Sequence, residues 1–266
     1  MKFESGLNFV KKIHPTAIVD PQAEIGEEVE IGPYCIIEGN VRIAHGCRLK
    51  PHVHLASGTR LGEHCQVFTG AVLGTVPQDL KFENEETTLE IGDHTVIREF
   101  ATLNRGTHER GRTTIGSHCL LMAYTHVAHD CDVGNHCILA NNATLAGHVV
   151  IEDHAGFGGM VPVHQFVRIG KHSFIGGFYR VAKDVPPYIL AMGEPLTYAG
   201  LNSVGLRRRG FSEETLSVLK HTYRIIFKGR LNVSQAVQRI RENGTLIPEV
   251  QEVLAFIEKS ERGIIG

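Results

Sequence analysis

The stretch IGEEVEIGPYCIIEGNVRI, residues 25–43, sets Ile25, Ile31, Ile37 and Ile43 at intervals of six. Stepping outward by six reaches Val19 and Ile13 on one side and Leu49, Leu55, Leu61, Val67 and Leu73 on the other. The same phase returns at Ile91, Ile97 and Leu103. It then runs unbroken from Ile115 through Leu121, Val127, Val133, Leu139, Leu145, Ile151, Phe157, Val163, Ile169 and Ile175 to Val181. Every one of these positions is large and apolar, which makes the repeat real rather than a chance alignment. Four residues further on, the side chain is usually small, as in Ala17, Ala23, Val29 and Val41. All six cysteines (Cys35, Cys47, Cys65, Cys119, Cys131, Cys137) fall in that phase. They read as compact buried side chains, not as a disulfide framework or a zinc site.

A period of six is neither helical nor a two-residue strand alternation. It fits short strands joined by sharp corners, each strand sending one apolar side chain inward. Glycine directly after the apolar residue, as at Gly26, Gly32, Gly62 and Gly134, eases the approach of neighbouring backbone. This pattern resembles the hexapeptide-repeat left-handed parallel β-helix, a three-sided prism with three hexapeptides per coil. The hand is implied by the resemblance, since the general rule for β-crossovers favours the opposite one. Two polar interruptions, residues 74–90 and 104–114, leave the repeat, and long excursions of this kind tend to carry function. The first contains Gln78-Asp79-Leu80-Lys81. After Val181 the pattern stops at Pro186-Pro187. Helical patterning begins at Ser212, an N-cap followed by Glu213 and Glu214, with Leu216, Leu219, Tyr223, Ile226 and Phe227 on one face. Further helices are expected near 232–242 and 248–261. The expected architecture is therefore a mainly β chain: a β-helix over residues 1–185, then a linker and small α-helical domain over 186–266.

Composition narrows the function. The chain has 266 residues with 27 Lys+Arg against 29 Asp+Glu, a net charge of -2 that argues against non-specific nucleic-acid binding. Hydrophobic content of 42% suits a folded core. The apolar runs fall far short of the ~20 residues of a membrane span. Met1-Lys2-Phe3-Glu4 opens with charge and lacks a signal peptide's apolar stretch, so a cytoplasmic protein is expected. A narrow prism needs side partners, so a homo-oligomer is expected as well.

Three hexapeptides per coil make residues eighteen apart neighbours on successive coils. From His129 that step leads to Gly147, Gln165 and Lys183; from Asp130 to His148 and Phe166; from Ala128 to Ala146 and His164. Eight of the 16 histidines (His52, His64, His94, His118, His136, His148, His154, His172) share one phase, three residues after the apolar position, and are expected to be solvated corner residues. His126, His129 and His164 fall outside it, which makes them the better candidates for chemistry. A neutral imidazole beside a carboxylate is a natural general base near neutral pH, and a backbone N–H one coil away can stabilise an oxyanion. Together they suit acyl transfer to a hydroxyl. Clustered histidine can also hold a metal. No two histidines here are five apart, as the zinc pair of γ-carbonic-anhydrase-type hexapeptide proteins requires, so no metal is expected.

Several segments together resemble the acyl-carrier-protein–UDP-N-acetylglucosamine O-acyltransferases of lipid A synthesis. They are Gln78-Asp79-Leu80-Lys81, His126-Val127-Ala128-His129-Asp130-Cys131, residues 137–148, Val163-His164-Gln165-Phe166, Asp184-Val185-Pro186-Pro187-Tyr188 and residues 205–211. The resemblance spans nearly the whole chain. It implies that His129 is the general base, Asp130 its orienting carboxylate and Gly147 the oxyanion donor. It implies that Asp79, Lys81, His126, His148, His164 and Gln165 hold the sugar, diphosphate and acyl group. Asn202 and Arg208 would reach the nucleotide from a neighbouring subunit of a homotrimer. Gly177 would end the acyl groove and leave room for a long chain. The acyl donor is the acyl carrier protein with its own phosphopantetheine, so no further cofactor is implied. Arg168, Lys171, Arg180 and Arg207-Arg208-Arg209 could face that acidic partner. Val204, Asn104 and Pro195 depart from common family residues (Glu, His and His) and bear on nucleotide contacts and chain length. Two relatives of the fold remain as alternatives: amide formation on a 3-amino sugar nucleotide, and a coenzyme A-dependent acetyltransferase.

Overall fold

Most hexapeptides fold as a strand of two residues that ends on its apolar member, from Lys12–Ile13 and Ile18–Val19 to Phe174–Ile175. The computed structural model describes residues 12–229 and 231–266. The expectations for residues 1–11, the start of the first domain and the amino-terminal reading, lie outside the described residues. The chain forms two compact units, one ending at Cys131 and the other beginning at Asp132.

In the first unit the strands pair in parallel with a register of eighteen, Ile13 against Ile31 and Ile37 against Leu55. The two excursions lengthen the coil without breaking the phase. Across the first the register step grows to thirty, Val67 against Ile97 and Val72 against Thr102. Across the second it is twenty-four, Ile97 against Leu121 and Leu103 against Val127. Both insertions are multiples of six, so every apolar residue still points inward. Their bases are strands rather than loops: Val72–Thr75, Thr88–Ile91, Thr102–Asn104 and Arg112–Ile115.

The repeat packs as expected. Leu55, Leu73, Leu103, Leu139 and Leu145 are completely buried. All six cysteines remain buried thiols; Cys35 and Cys47 donate to the carbonyls of Lys50 and Gly62 at 3.1 and 3.0 Å, and burial pushes the Cys35 thiol above its usual range. The corner histidines sit in the left-handed region, φ 61° at His52 and 55° at His172, where His, Asn and Asp are the least disfavoured non-glycine residues. Gly26 is required by close approach: a Cβ there would lie 2.8 Å from the main chain of Ala44 on the next coil.

In the second unit the register of eighteen continues, Thr144 against Pro162 and Phe157 against Ile175. The segment after Pro186-Pro187, expected as a linker, is structured. Ile189–Met192 adds a parallel strand beside Phe174–Ile175, then turns back antiparallel on Thr197–Leu201. The prolines end the hexapeptides but still deliver Ile189 and Ala191 to the buried row. Helix α1 (Ser203–Arg208) was not expected; α2 (Glu213–Lys228), α3 (Val233–Asn243) and α4 (Pro248–Glu258) were. Ser212 caps α2, its hydroxyl accepting from the Thr215 N–H at 3.0 Å. The α2 face buries Leu216, Leu219, Tyr223 and Ile226, and the Tyr223 hydroxyl donates to the Pro187 carbonyl at 2.5 Å. Among the described residues no helix is long and apolar enough to cross a membrane.

One corner of this unit is a stack of rings: His136 on His154 (4.7 Å between centroids), His154 on His172 (4.6 Å) and His172 on Tyr188 (5.6 Å), with Phe211 edge-on to His172. The last imidazole is no solvated corner residue. Burial, then the neighbouring His154 and Arg209 charges, push the His172 pKa down to about 4, and burial lowers that of His154 too. A histidine whose folded pKa lies below its unfolded value gives stability that is complete above pH ~6.5 and is lost as pH falls toward 4. With partial solvent screening the loss is on the order of 2 kcal/mol. His172→Phe, which keeps the stack without the titration, is expected to flatten the fall in Tm between pH 6.5 and 4.5; an unchanged slope would contradict this.

Candidate active site

His129 and Asp130 close one corner of the first unit. The His129 Nδ1 lies 2.8 Å from Asp130 Oδ2; the imidazole is 15% exposed and the carboxylate 0%. An ionised carboxylate only accepts, so Nδ1 carries the proton and Nε2 is the unprotonated, accepting ring nitrogen. Asp130 adopts φ 58°. Its carboxylate is held by residues sequence reasoning missed: the Thr107 N–H donates to Oδ1 at 3.0 Å and the Thr107 hydroxyl to Oδ2 at 2.7 Å. No repeat phase encodes these residues, because they belong to the excursion; its polarity was the only signal. Three residues before His129, His126 shares a 2.8 Å hydrogen bond between Nδ1 and the Thr102 hydroxyl, and burial lowers its pKa, favouring the neutral ring.

The 78–81 turn is built locally. Asp79 Oδ1 accepts from the Lys81 N–H at 3.0 Å, and Leu80 at the tip is fully exposed. Neither the Asp79 nor the Lys81 side chain bonds another side chain among the described residues. Asn104 is 3% exposed; its amide donates to the Thr75 hydroxyl at 3.0 Å and the Val76 carbonyl at 3.1 Å, fastening the second excursion to the first.

In the second unit, residues 147–148 and 165–166 lie on consecutive coils. The Gly147 carbonyl accepts from the Phe166 N–H at 3.1 Å, and the His148 ring stacks on Phe166 at 4.5 Å. The Gly147 N–H donates to no acceptor among the described residues. His164 Nδ1 turns to the Gln165 carbonyl at 3.1 Å. Asn202 sits at a different corner of the same unit: its Oδ1 caps α1 at the Gly205 N–H (3.2 Å), and its Nδ2 donates to the His172 carbonyl at 2.9 Å. Arg208, at the end of α1, is exposed, as is Val204. Gly177 belongs to a third corner, against Gly158 and Gly159 of the preceding coil; a Cβ there would lie 3.2 Å from the Gly159 carbonyl. The structure thus brings Gly147, His148, His164 and Gln165 together and leaves Asn202, Arg208 and Gly177 at other corners of this chain.

Part of the expected basic face is spent internally. Arg168 lies over the Phe256 ring at 4.6 Å and donates to the Lys259 carbonyl, Lys171 pairs with Glu252 at 2.5 Å, and Arg207 pairs with Glu213 at 2.6 Å. The first two dock α4. A second basic surface lies on α2 and α3: His221, Arg224, Lys228 and Arg239 line a concavity of about 490 Å³. None of these side chains is paired with a carboxylate among the described residues.

A parallel β-helix of hexapeptides carrying an oriented imidazole–carboxylate pair, with a helical carboxy-terminal part, defines a hexapeptide-repeat transferase. The family model described as bacterial transferase hexapeptide matches residues 112–147, and that described as UDP N-acetylglucosamine O-acyltransferase, domain 2, matches residues 184–265. An acyl-[acyl-carrier-protein]–UDP-N-acetylglucosamine O-acyltransferase of Thiobacillus denitrificans is 49% identical over 95% of this chain and 98% of its own; one from Thermodesulfovibrio yellowstonii is 48% identical over 96% and 99%. The crystal structure of the Bacteroides fragilis UDP-N-acetylglucosamine acyltransferase superposes with a TM-score of 0.94 at 44% identity, covering 96% of this chain and 100% of that one. The chain belongs to the acyl-[acyl-carrier-protein]–UDP-N-acetylglucosamine O-acyltransferase family, and its fold is the left-handed parallel β-helix that the resemblance implied.

Proposed function

We propose that this enzyme moves an (R)-3-hydroxyacyl group from acyl carrier protein to the glucosamine 3-hydroxyl of UDP-N-acetylglucosamine, the first step of lipid A synthesis, with His129 as general base. The observation that carries the assignment of the base is the 2.8 Å bond from His129 Nδ1 to a fully buried Asp130, which leaves Nε2 as the acceptor. In this mechanism Nε2 takes the hydroxyl proton as the oxygen attacks the thioester carbonyl. Gly147, eighteen residues on in the repeat, offers its unused N–H to the tetrahedral oxyanion. Collapse expels the phosphopantetheine thiolate, which recovers the proton from the imidazolium. The donor arrives activated on the carrier protein, so no other cofactor enters.

His126, His148, His164, Gln165, Asp79 and Lys81 bind the sugar, diphosphate and acyl chain in this reading. Asn202, Arg208 and Gly177 stand at other corners, which supports a site completed by neighbouring copies in a homotrimer. The unpaired bases of α2 and α3 suit the acidic carrier protein better than Arg168 and Lys171, which are engaged in docking α4. This reading places the enzyme in the cytoplasm.

The test is mass spectrometry of the products from UDP-N-acetylglucosamine and a mixed pool of 3-hydroxyacyl carrier proteins. A 3-O-ester drawn mainly from the longer donors is expected, because Gly177 puts no side chain in the groove. Turnover only with a 3-amino sugar, giving an amide, or only with coenzyme A donors would refute the reading.

A further inference from the structure

We infer that Thr107, on the excursion over residues 104–114, is a positioning residue that sets the His129–Asp130 pair for proton transfer. The inference deepens the proposed function and rests on His129 being the base.

Residues 107–113 hold Asp130 at its main chain and at its carboxylate. The Thr113 hydroxyl accepts from the Asp130 N–H at 2.8 Å, and the Arg110 guanidinium donates to the Asp130 carbonyl at 2.9 Å. The Thr107 N–H and hydroxyl take the two carboxylate oxygens at 3.0 and 2.7 Å. A fully buried carboxylate is tolerated only when such donors replace water. Thr107 is itself 5% exposed. The direction of its hydroxyl proton follows from its neighbours: the oxygen accepts from the Glu109 N–H at 3.3 Å, and its proton then goes to Oδ2. The turn is fixed in its own right, the Gly111 N–H donating to the Thr107 carbonyl at 2.8 Å and the Thr87 hydroxyl to the Gly106 carbonyl at 2.6 Å.

The consequence is chemical. Thr107 Oγ1 and His129 Nδ1 share the same oxygen, Oδ2. The hydroxyl therefore fixes where that oxygen sits, and with it the plane of the imidazole and the direction of Nε2. It also tunes how much negative charge Oδ2 presents to the imidazolium that forms in the reaction. Arg110, which donates to the Asp130 carbonyl, and Glu109, whose N–H donates to the Thr107 hydroxyl, are the charged neighbours on the excursion, and both are unchanged in the test.

Thr107→Val removes the hydroxyl and little volume. Roughly a tenfold loss in kcat is expected, in line with deleting one hydrogen bond to a charged group, with KM for the sugar nucleotide within about twofold. The acid limb of the kcat/KM profile is expected to move to higher pH, because a less stabilised carboxylate holds the imidazolium proton more firmly. Thr107→Ser should restore both. Unchanged kcat and acid limb in Thr107→Val, or a loss that serine does not restore, would overturn the inference. If valine prevents folding, Thr107→Ala carries the same comparison against serine. Failure of the underlying reading looks different: His129→Ala would then turn over normally, whatever Thr107 does.

Discussion

His129→Ala is expected to fold and melt as the parent enzyme does while losing on the order of 10²-fold or more in kcat, the usual cost of deleting a general base. The two halves of this expectation have separate causes. The imidazole is 15% exposed and lies outside the apolar row, so its removal opens no core cavity. Asp130 keeps both Thr107 donors in the variant, so the buried carboxylate is not stranded. The chemistry has no such reserve, since the attacking hydroxyl is a poor nucleophile until Nε2 takes its proton. Thermal melts and steady-state rates with carrier-protein substrate check both halves. A stable variant with near-normal kcat would remove His129 from the mechanism, and a variant that fails to fold would show that the ring is structural.

The fold was legible because the prism demands one inward side chain per short strand, and Ile25 to Val181 supply it at a fixed period. That period also predicted which residues share a coil, and the His129–Asp130 pair followed from adjacency in sequence. What escaped notice has no period. Thr107 lies in an excursion whose path is set by its own turn and by Asp130, not by the repeat. Helix α1, six residues long, is too short to show an apolar face. Lys171 read as part of a basic face for the carrier protein because its partner, Glu252, is 81 residues away on α4. His172 shared the phase of exposed corner histidines, yet Tyr188 and Phe211, brought by the hairpin and the segment before α2, cover it. Sequence period reports the coil a residue occupies; it is silent on what folds back over that coil.

That silence is sharpest at Asp184, which joins the last turn of the β-helix to the carboxy-terminal segment. It is 1% exposed. Its carboxylate accepts from the Arg168 N–H at 2.8 Å and from the Ser260 hydroxyl at 2.7 Å. Its own N–H donates to the Gly263 carbonyl at 3.1 Å and its carbonyl accepts from the Ile265 N–H at 2.9 Å. Asp184→Ala keeps the two main-chain bonds but strands two side-chain-dependent donors beside a small cavity. Each bond to a buried charged group contributes about 1.5–3 kcal/mol, so a loss of about 3 kcal/mol is expected, less than the sum because Ser260 can turn to water. Asp184→Asn should cost about 1 kcal/mol: its amide oxygen still receives the Arg168 N–H, and the Ser260 hydroxyl can rotate to accept from the new amide. Urea unfolding of the two variants checks the order. Equal, small losses would mean that the apolar contacts of Ile264 and Ile265 hold the segment and the carboxylate is incidental. The expected order, alanine well below asparagine, identifies a polar clasp whose geometry, rather than charge, closes the end of the β-helix.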